Sequence, residues 1–225
     1  LVLSKKTFHI ITIYVYQLNY NNKGATGNND SLLLEASDTL QKLCGEKVFR
    51  ISGKRFLVLA ESLKEYKDFL SSISHFFEED LQESKNQGSV PAVIAGIINA
   101  EKLLDDATML DYAAYLEGLS PHIEMVEIVQ GDDKTLQNFY YNQKVERYLD
   151  EAIEKDLFSV YYQPVFSLVD NEYISLEALS RLYHPELGWI APDLFIELAE
   201  KNHTITKITD LQFHRVCKFV KENEV

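Results

Sequence analysis

From Thr7 to Tyr16 the chain reads TFHIITIYVY, an almost unbroken run of β-branched and aromatic residues. Such a run suits a strand buried on both faces and is too short to span a bilayer as a helix. A central strand needs neighbours on either side, so this segment commits the first part of the chain to a sheet. The next segments supply them. An Asn/Gly-rich loop from Asn19 to Asn29 leads to a helix carrying Leu32, Leu33, Ala36 and Leu40, capped by Asn29 or Asp30 and stopped near Gly45. Lys47 to Ile51 and Arg55 to Ala60, joined at Ser52-Gly53, read as a β-hairpin. A helix from Leu63 to about Leu81, a strand from Val90 to Ala100, a helix from Thr108 to Leu116 and a strand from His122 to Val129 complete the order βαββαβαβ.

From Asp133 to Lys155 the pattern changes to a long polar helix with Leu136, Phe139, Tyr140, Leu149, Ala152 and Ile153 on its apolar side. Strands at Ser159 to Leu168 and Glu172 to Leu182 follow, separated by an Asp170-Asn171 turn. Two helices come last, one opening at Pro192 and one over about Ile205 to Lys221. The expected division is residues 1–131 as a first domain, 132–157 as a connector helix and 158–225 as the start of a second domain.

The formal net charge is −13. It argues against broad phosphate neutralisation on a nucleic-acid polymer and against a polybasic membrane patch, so an anionic ligand would need a local cluster of donors. The two cysteines, Cys44 and Cys217, are far apart and show no zinc spacing, and a reducing cytoplasm is the expected compartment.

The second part carries YYQPVFSL and then ISLEALSRLYHPELGWIAPDLFIELAEKNHTI. This run resembles the opening of EAL domains through Tyr162-Gln163-Pro164, Glu177-Ala178-Leu179, Arg181, His184-Pro185, Leu187-Gly188, Pro192, Phe195-Ile196 and Ala199-Glu200. The resemblance implies a (β/α)8 barrel that hydrolyses the bacterial messenger cyclic-di-GMP. It implies Glu177 as a ligand to Mg²⁺ or Mn²⁺, Gln163 and Arg181 as substrate-holding groups and Leu179 as a lining residue. These residue types suit the chemistry: hard cations take carboxylate oxygens, and a guanidinium can grip a phosphate with two parallel hydrogen bonds. His184 is expected to be structural and Trp189 to be packing.

A whole barrel takes about 250 residues, and no complete catalytic set can be drawn from this chain. The expectation is therefore an incomplete barrel segment, cut from a longer protein and inactive by itself. Strands without barrel neighbours would seek a partner, the first domain or a second copy in a homodimer.

The first part resembles, more weakly, a GGDEF domain, the fold of diguanylate cyclases. Here Ser52, Gly53, Lys54, Arg55 and Phe56 stand at the signature turn. Lys54 and Arg55 replace the acidic pair, and Tyr14 or Tyr16 stands where a metal aspartate is expected. The fold class is thus α/β: a GGDEF-like sandwich with a central, mainly antiparallel sheet, then the EAL-type segment. Cyclase chemistry is excluded by these replacements. For Lys54 and Arg55 a solvated hairpin tip is the leading expectation; GTP there, with Asn21, Asn22 and Asp30 toward the base, is the alternative, and these Asn/Gly-rich positions also suit turn formation. The expected role is a cyclic-di-GMP phosphodiesterase regulated by an inert GGDEF-like domain; the alternative is a non-catalytic nucleotide receptor or protein scaffold.

Overall fold

The computed structural model describes residues 9–19, 24–25, 30–77, 89–99, 106–122, 124 and 126–223. They divide into two units, residues 1–139 and 140–225.

The first unit is built on one sheet. Its strands are β1 (His9–Asn19), β2 (Gly24–Ala25), β3 (Val48–Ser52), β4 (Arg55–Ala60), β5 (Ser89–Asn99) and β6 (Val126–Gln130), in the order β3-β4-β1-β5-β6 with β2 paired to the end of β1. The apolar run is indeed central: β1 pairs antiparallel with β4 on one side and with β5 on the other. Ile10, Ile11, Ile13, Val15 and Tyr16 are buried there. The sheet is mixed. All its pairings are antiparallel except β5 with β6, which is parallel. A parallel return requires a crossover, and α3 (Asp106–Gly118) provides it.

On one face, α1 (Asp30–Cys44) and α2 (Leu63–His75) enclose a core of Leu33, Ala36, Leu40 and Ile73 against Ile11, Ile13, Val15, Phe56, Val58 and Val93. The start of α2 is locally encoded. The Ser62 hydroxyl accepts from Glu65 N at 3.1 Å, and Glu65 reaches back to accept from Glu61 N at 2.7 Å. Lys47 pairs with the same Glu65.

Strand β6 begins at Val126, four residues later than the sequence suggests, because a buried carboxylate organises the segment before it. Glu127 is 7% exposed. Its Oε1 accepts from Glu124 N at 2.9 Å, and its Oε2 takes the Ser120 hydroxyl and His122 N. His122, at φ 56°, turns the chain there, and the Tyr16 hydroxyl donates to Glu124 O at 2.9 Å. Paired with these donors, the carboxylate can be buried at little cost.

The second unit consists of the C-terminal part of α4 (Asp133–Glu154), the strands β7 (Phe158–Ser167), β8 (Glu172–His184) and β9 (Gly188–Ile190), and the helices α5 (Pro192–Lys201) and α6 (Ile205–Asn223). Asp132 caps α4, its Oδ1 accepting from Thr135 N at 2.7 Å and Thr135 Oγ1 at 2.6 Å. The strands form an antiparallel sheet in the order β7-β8-β9. A closed (β/α)8 barrel is not seen among the described residues. The turn after β7 passes through Asn171 at φ 55°, a conformation that asparagine tolerates, so β8 returns directly beside β7 instead of crossing over through a helix.

One face of this sheet packs on helices. Phe158 and Leu182, opposite each other in the register, join Val145, Leu149 and Ala152 of α4, Phe195, Leu198 and Ala199 of α5 and Ile208 of α6. Phe158 meets Phe195 edge-on with ring centroids 5.6 Å apart, and Tyr162 stacks on Phe219 at 3.8 Å. No described helix is long and apolar enough to cross a membrane.

Candidate functional site

Strand side chains alternate between faces. In β8 Leu182 points to the helices, so Arg181, Leu179 and Glu177 point the other way. The register sets Ser159 opposite Arg181, Tyr161 opposite Leu179 and Gln163 opposite Glu177. All four residues named from the sequence, Gln163, Glu177, Leu179 and Arg181, therefore stand on one face of one hairpin. The backbone alone brings them together. The bulge between Val165 and Phe166 lies beyond this stretch and leaves its alternation intact.

That face is open. Tyr161 is 51% exposed, Tyr183 49% and Trp189 57%, although all three are large apolar side chains on it. Trp189 was expected to be packing; the structure places it in solvent contact instead, edge-on to Tyr183 at 5.2 Å and to Tyr161 at 6.0 Å. The reason is strand β9 (Gly188–Ile190), a third strand in addition to the two expected from the sequence. Gly188 at φ +74° turns the chain back, and β9 then pairs Trp189 with Tyr183, on the same face as Arg181. A lone Gly followed by two bulky residues after a His-Pro turn was the available signal.

Arg181 is half-buried. Its Nη1 donates to Ser180 O at 2.9 Å, and its guanidinium lies 5.8 Å from the Tyr161 ring centroid, within cation–π range. A recess of about 400 Å³ opens beside it, lined by Tyr161, Arg181, Trp189, Ile190, Ala191 and Pro192. A guanidinium bordered by aromatic rings and by the first turn of α5 can receive a phosphate and a flat base together.

Glu177 sits at the other end of this row, two alternations from Arg181, or about 13 Å along the strand. It is exposed. Among the described residues no three His, Cys, Asp or Glu side chains gather as a metal set. One carboxylate beside one amide suits at most a single, largely hydrated Mg²⁺ and cannot hold a metal pair. No catalytic step through a metal follows from these residues.

The β3–β4 turn in the first unit is built as follows. Gly53 and Lys54 form the tip between Ser52, the last residue of β3, and Arg55, the first of β4, with Arg50 folding back to donate to Gly53 O from Nη2 at 2.6 Å and from Nε at 3.2 Å. Lys54 is tied by its backbone, its carbonyl accepting from Val15 N at 2.9 Å. Phe56 is fully buried. Arg55 does not project as a cation waiting for phosphate. Its side chain, 39% exposed, donates from Nε to Glu117 Oε2 of α3 at 2.6 Å, with its guanidinium 5.5 Å from the Tyr14 ring centroid. Burial and the nearby Glu117 push the Tyr14 hydroxyl above its usual range, against a smaller opposing pull from Arg55.

The space around this cluster, lined by Thr12, Tyr14, Ile51, Arg55, Gly96 and Glu117 among others, has room for about 10 Å³, no more than one water. Gly96 is small for a reason: a Cβ there would meet Thr12 Oγ1 at 2.3 Å and Leu116 Cδ1 at 3.3 Å. Asn21 and Asn22 lie outside the described residues.

Residues 146–224 match the EAL domain. The cyclic di-GMP phosphodiesterase NbdA of Pseudomonas aeruginosa is 26% identical over 209 residues, covering 84% of this chain and 26% of that protein. An uncharacterized protein of Mycobacterium tuberculosis, Rv1357c, is 37% identical over 70 residues, or 31% of this chain and 23% of its own. The chain thus spans about a quarter of the length of these curated relatives. Among solved structures, Vibrio cholerae LapD S helix-GGDEF-EAL bound to c-di-GMP superposes with a TM-score of 0.48 at 14% identity, covering 99% of this chain and 53% of that one. The EAL match takes in Gln163, Glu177, Leu179, Arg181, Trp189 and Pro192. The similarity to NbdA extends well beyond those residues into the first unit.

Proposed function

We propose that the second unit supplies the ligand-binding hairpin of an EAL domain directed at cyclic-di-GMP, and that the whole protein hydrolyses this messenger. The observation that carries the reading is the gathering of Gln163, Glu177, Leu179 and Arg181 on one open strand face, inside the EAL match. Arg181 receives a phosphate, the recess beside Tyr161 and Trp189 receives a base, and Glu177 contributes one oxygen ligand to Mg²⁺ or Mn²⁺ alongside acidic groups from elsewhere. The 225-residue chain alone binds weakly and does not turn over.

The first unit acts in this reading as a GGDEF-like regulator without cyclase chemistry. The Arg55–Glu117 pair speaks against GTP there, since the cation a phosphate would use is already matched by a carboxylate.

Calorimetric titration of the chain with cyclic-di-GMP, with and without Mg²⁺ or Mn²⁺, tests the proposal. Measurable binding that falls about tenfold or more in Arg181→Ala supports it, in line with the loss of a charge-assisted phosphate contact. Equal binding by the two proteins would sink it. A second reading is a non-catalytic receptor or scaffold, in which Arg181 and the recess beside Tyr161 and Trp189 bind the nucleotide without hydrolysis. Binding without hydrolysis by the full-length gene product would favour that reading.

A further inference from the structure

The turn joining β8 to β9 is held by a side chain that the ligand face does not use. His184 lies on the helix-covered side of β8, while the residues that follow its turn deliver Trp189 to the opposite, open side. Its Nδ1 lies 3.1 Å from Glu186 N and 3.2 Å from Leu187 N, and both are donors. Backbone N–H groups can only donate, so Nδ1 must carry its lone pair and the ring proton must sit on Nε2. The next residue, Gly188, completes the turn in a left-handed conformation at φ +74° that glycine adopts without strain.

We infer that His184 is a protonation-sensitive clamp: its neutral ring fixes the β8–β9 turn and thereby holds Trp189 beside Arg181, and a second ring proton releases it. The protonated ring would carry N–H at Nδ1 and face two backbone donors with a third. Both contacts are then lost, and with them the restraint on the pairs His184–Gly188 and Tyr183–Trp189 that form β9.

The groups around the ring come from two elements. From α4, Tyr148 meets it edge-on at 4.4 Å and donates from its hydroxyl to Tyr183 O at 3.0 Å. Glu151, whose charge is coupled to His184, is paired with Lys155 at 2.7 Å. Glu186 belongs to the turn itself. The sign is fixed by the acceptor role. The clamp is complete while the ring is neutral and is lost as pH falls and the ring takes up its second proton.

This deepens the reading of the open face as a ligand site by naming what would regulate it, yet the test requires no nucleotide. Trp189 is the sole tryptophan of the chain, so its emission reports this turn alone. The spectrum is followed between about pH 8 and about pH 5, which brackets imidazole titration, in the 225-residue protein and in His184→Asn and His184→Ala. Asn offers Oδ1 close to where Nδ1 stands and does not titrate. Wild type should shift its emission to the red reversibly on acidification; H184N should stay at the wild-type pH 8 spectrum throughout. H184A should resemble the acidified wild type at every pH, with far-UV circular dichroism checking that each variant is folded. A pH-independent wild type, or an H184N variant that keeps the wild-type response, would overturn the clamp. Failure of cyclic-di-GMP binding would leave these spectra untouched.

Discussion

Arg55 and Glu117, 62 residues apart in sequence, meet at 2.6 Å, joining the β3–β4 hairpin to the last turn of α3. The Glu117 side chain is only 16% exposed, so the guanidinium replaces water as its hydrogen-bond partner. Glu117→Ala leaves a cation facing tyrosine and should cost about 1.5 kcal/mol, the low end for a hydrogen bond to a charged group because Arg55 is itself 39% exposed. In a denaturant-melt cycle, Arg55→Ala combined with Glu117→Ala should lose less than the sum of the single changes. Strict additivity would show that the pair contributes nothing.

Gly96→Ala should destabilise the first unit by about 1–3 kcal/mol, the usual range for overpacking. The new Cβ must displace Thr12 Oγ1, which also donates to Gly96 O at 3.2 Å. Thr12→Ala in the same chain removes the clashing oxygen and should restore part of the loss. Thermal melts of the two single variants and the double variant decide it.

The second unit should be sensitive on one face and tolerant on the other. Phe158→Ala empties a fully buried position against Phe195 and Leu182 and should cost about 3–5 kcal/mol. Glu177→Gln, on the open face, should change stability by less than about 0.5 kcal/mol. If E177Q proves as damaging in chemical denaturation as F158A, the assignment of faces is wrong.

The two cysteines should differ in reactivity. Burial, with a smaller contribution from Glu65, pushes the Cys44 thiol up to about 11, while Cys217 is exposed. Near pH 8 a colorimetric thiol reagent should label Cys217 rapidly and reach Cys44 only when the protein opens. Keeping Cys44 neutral gives stability that is complete below its ordinary value of 9.0 and is lost as pH rises toward about 11. Two equally fast thiols in the native protein would contradict this.

Much of the architecture is legible where local patterns are strong. The apolar run of β1, the Ser52-Gly53 hairpin, the Asp170-Asn171 turn and the Pro192 start of α5 each carry their own signal, and each is found. What the sequence hides is long-range. No local feature says that Arg55 will find Glu117, or that Glu127 will be buried and so delay the start of β6. Nor does any announce that β5 and β6 run in the same direction. Likewise the four ligand-face residues are nameable from their resemblance, but their sharing one face depends on the register of β7 with β8. Trp189 joins them through its pairing with Tyr183, in a strand of only three residues whose one local signal is the turn at Gly188.

Strand β1 is translated before both of its long partners, β4 and β5, which begin only at residues 55 and 89. An emerging chain therefore carries its greasiest segment without a partner for dozens of residues, and longer still on the β5 side. During synthesis, a holdase or the ribosome's own surface has to shield that ribbon, and any pause in translation before β5 prolongs the interval in which two nascent chains can stick together.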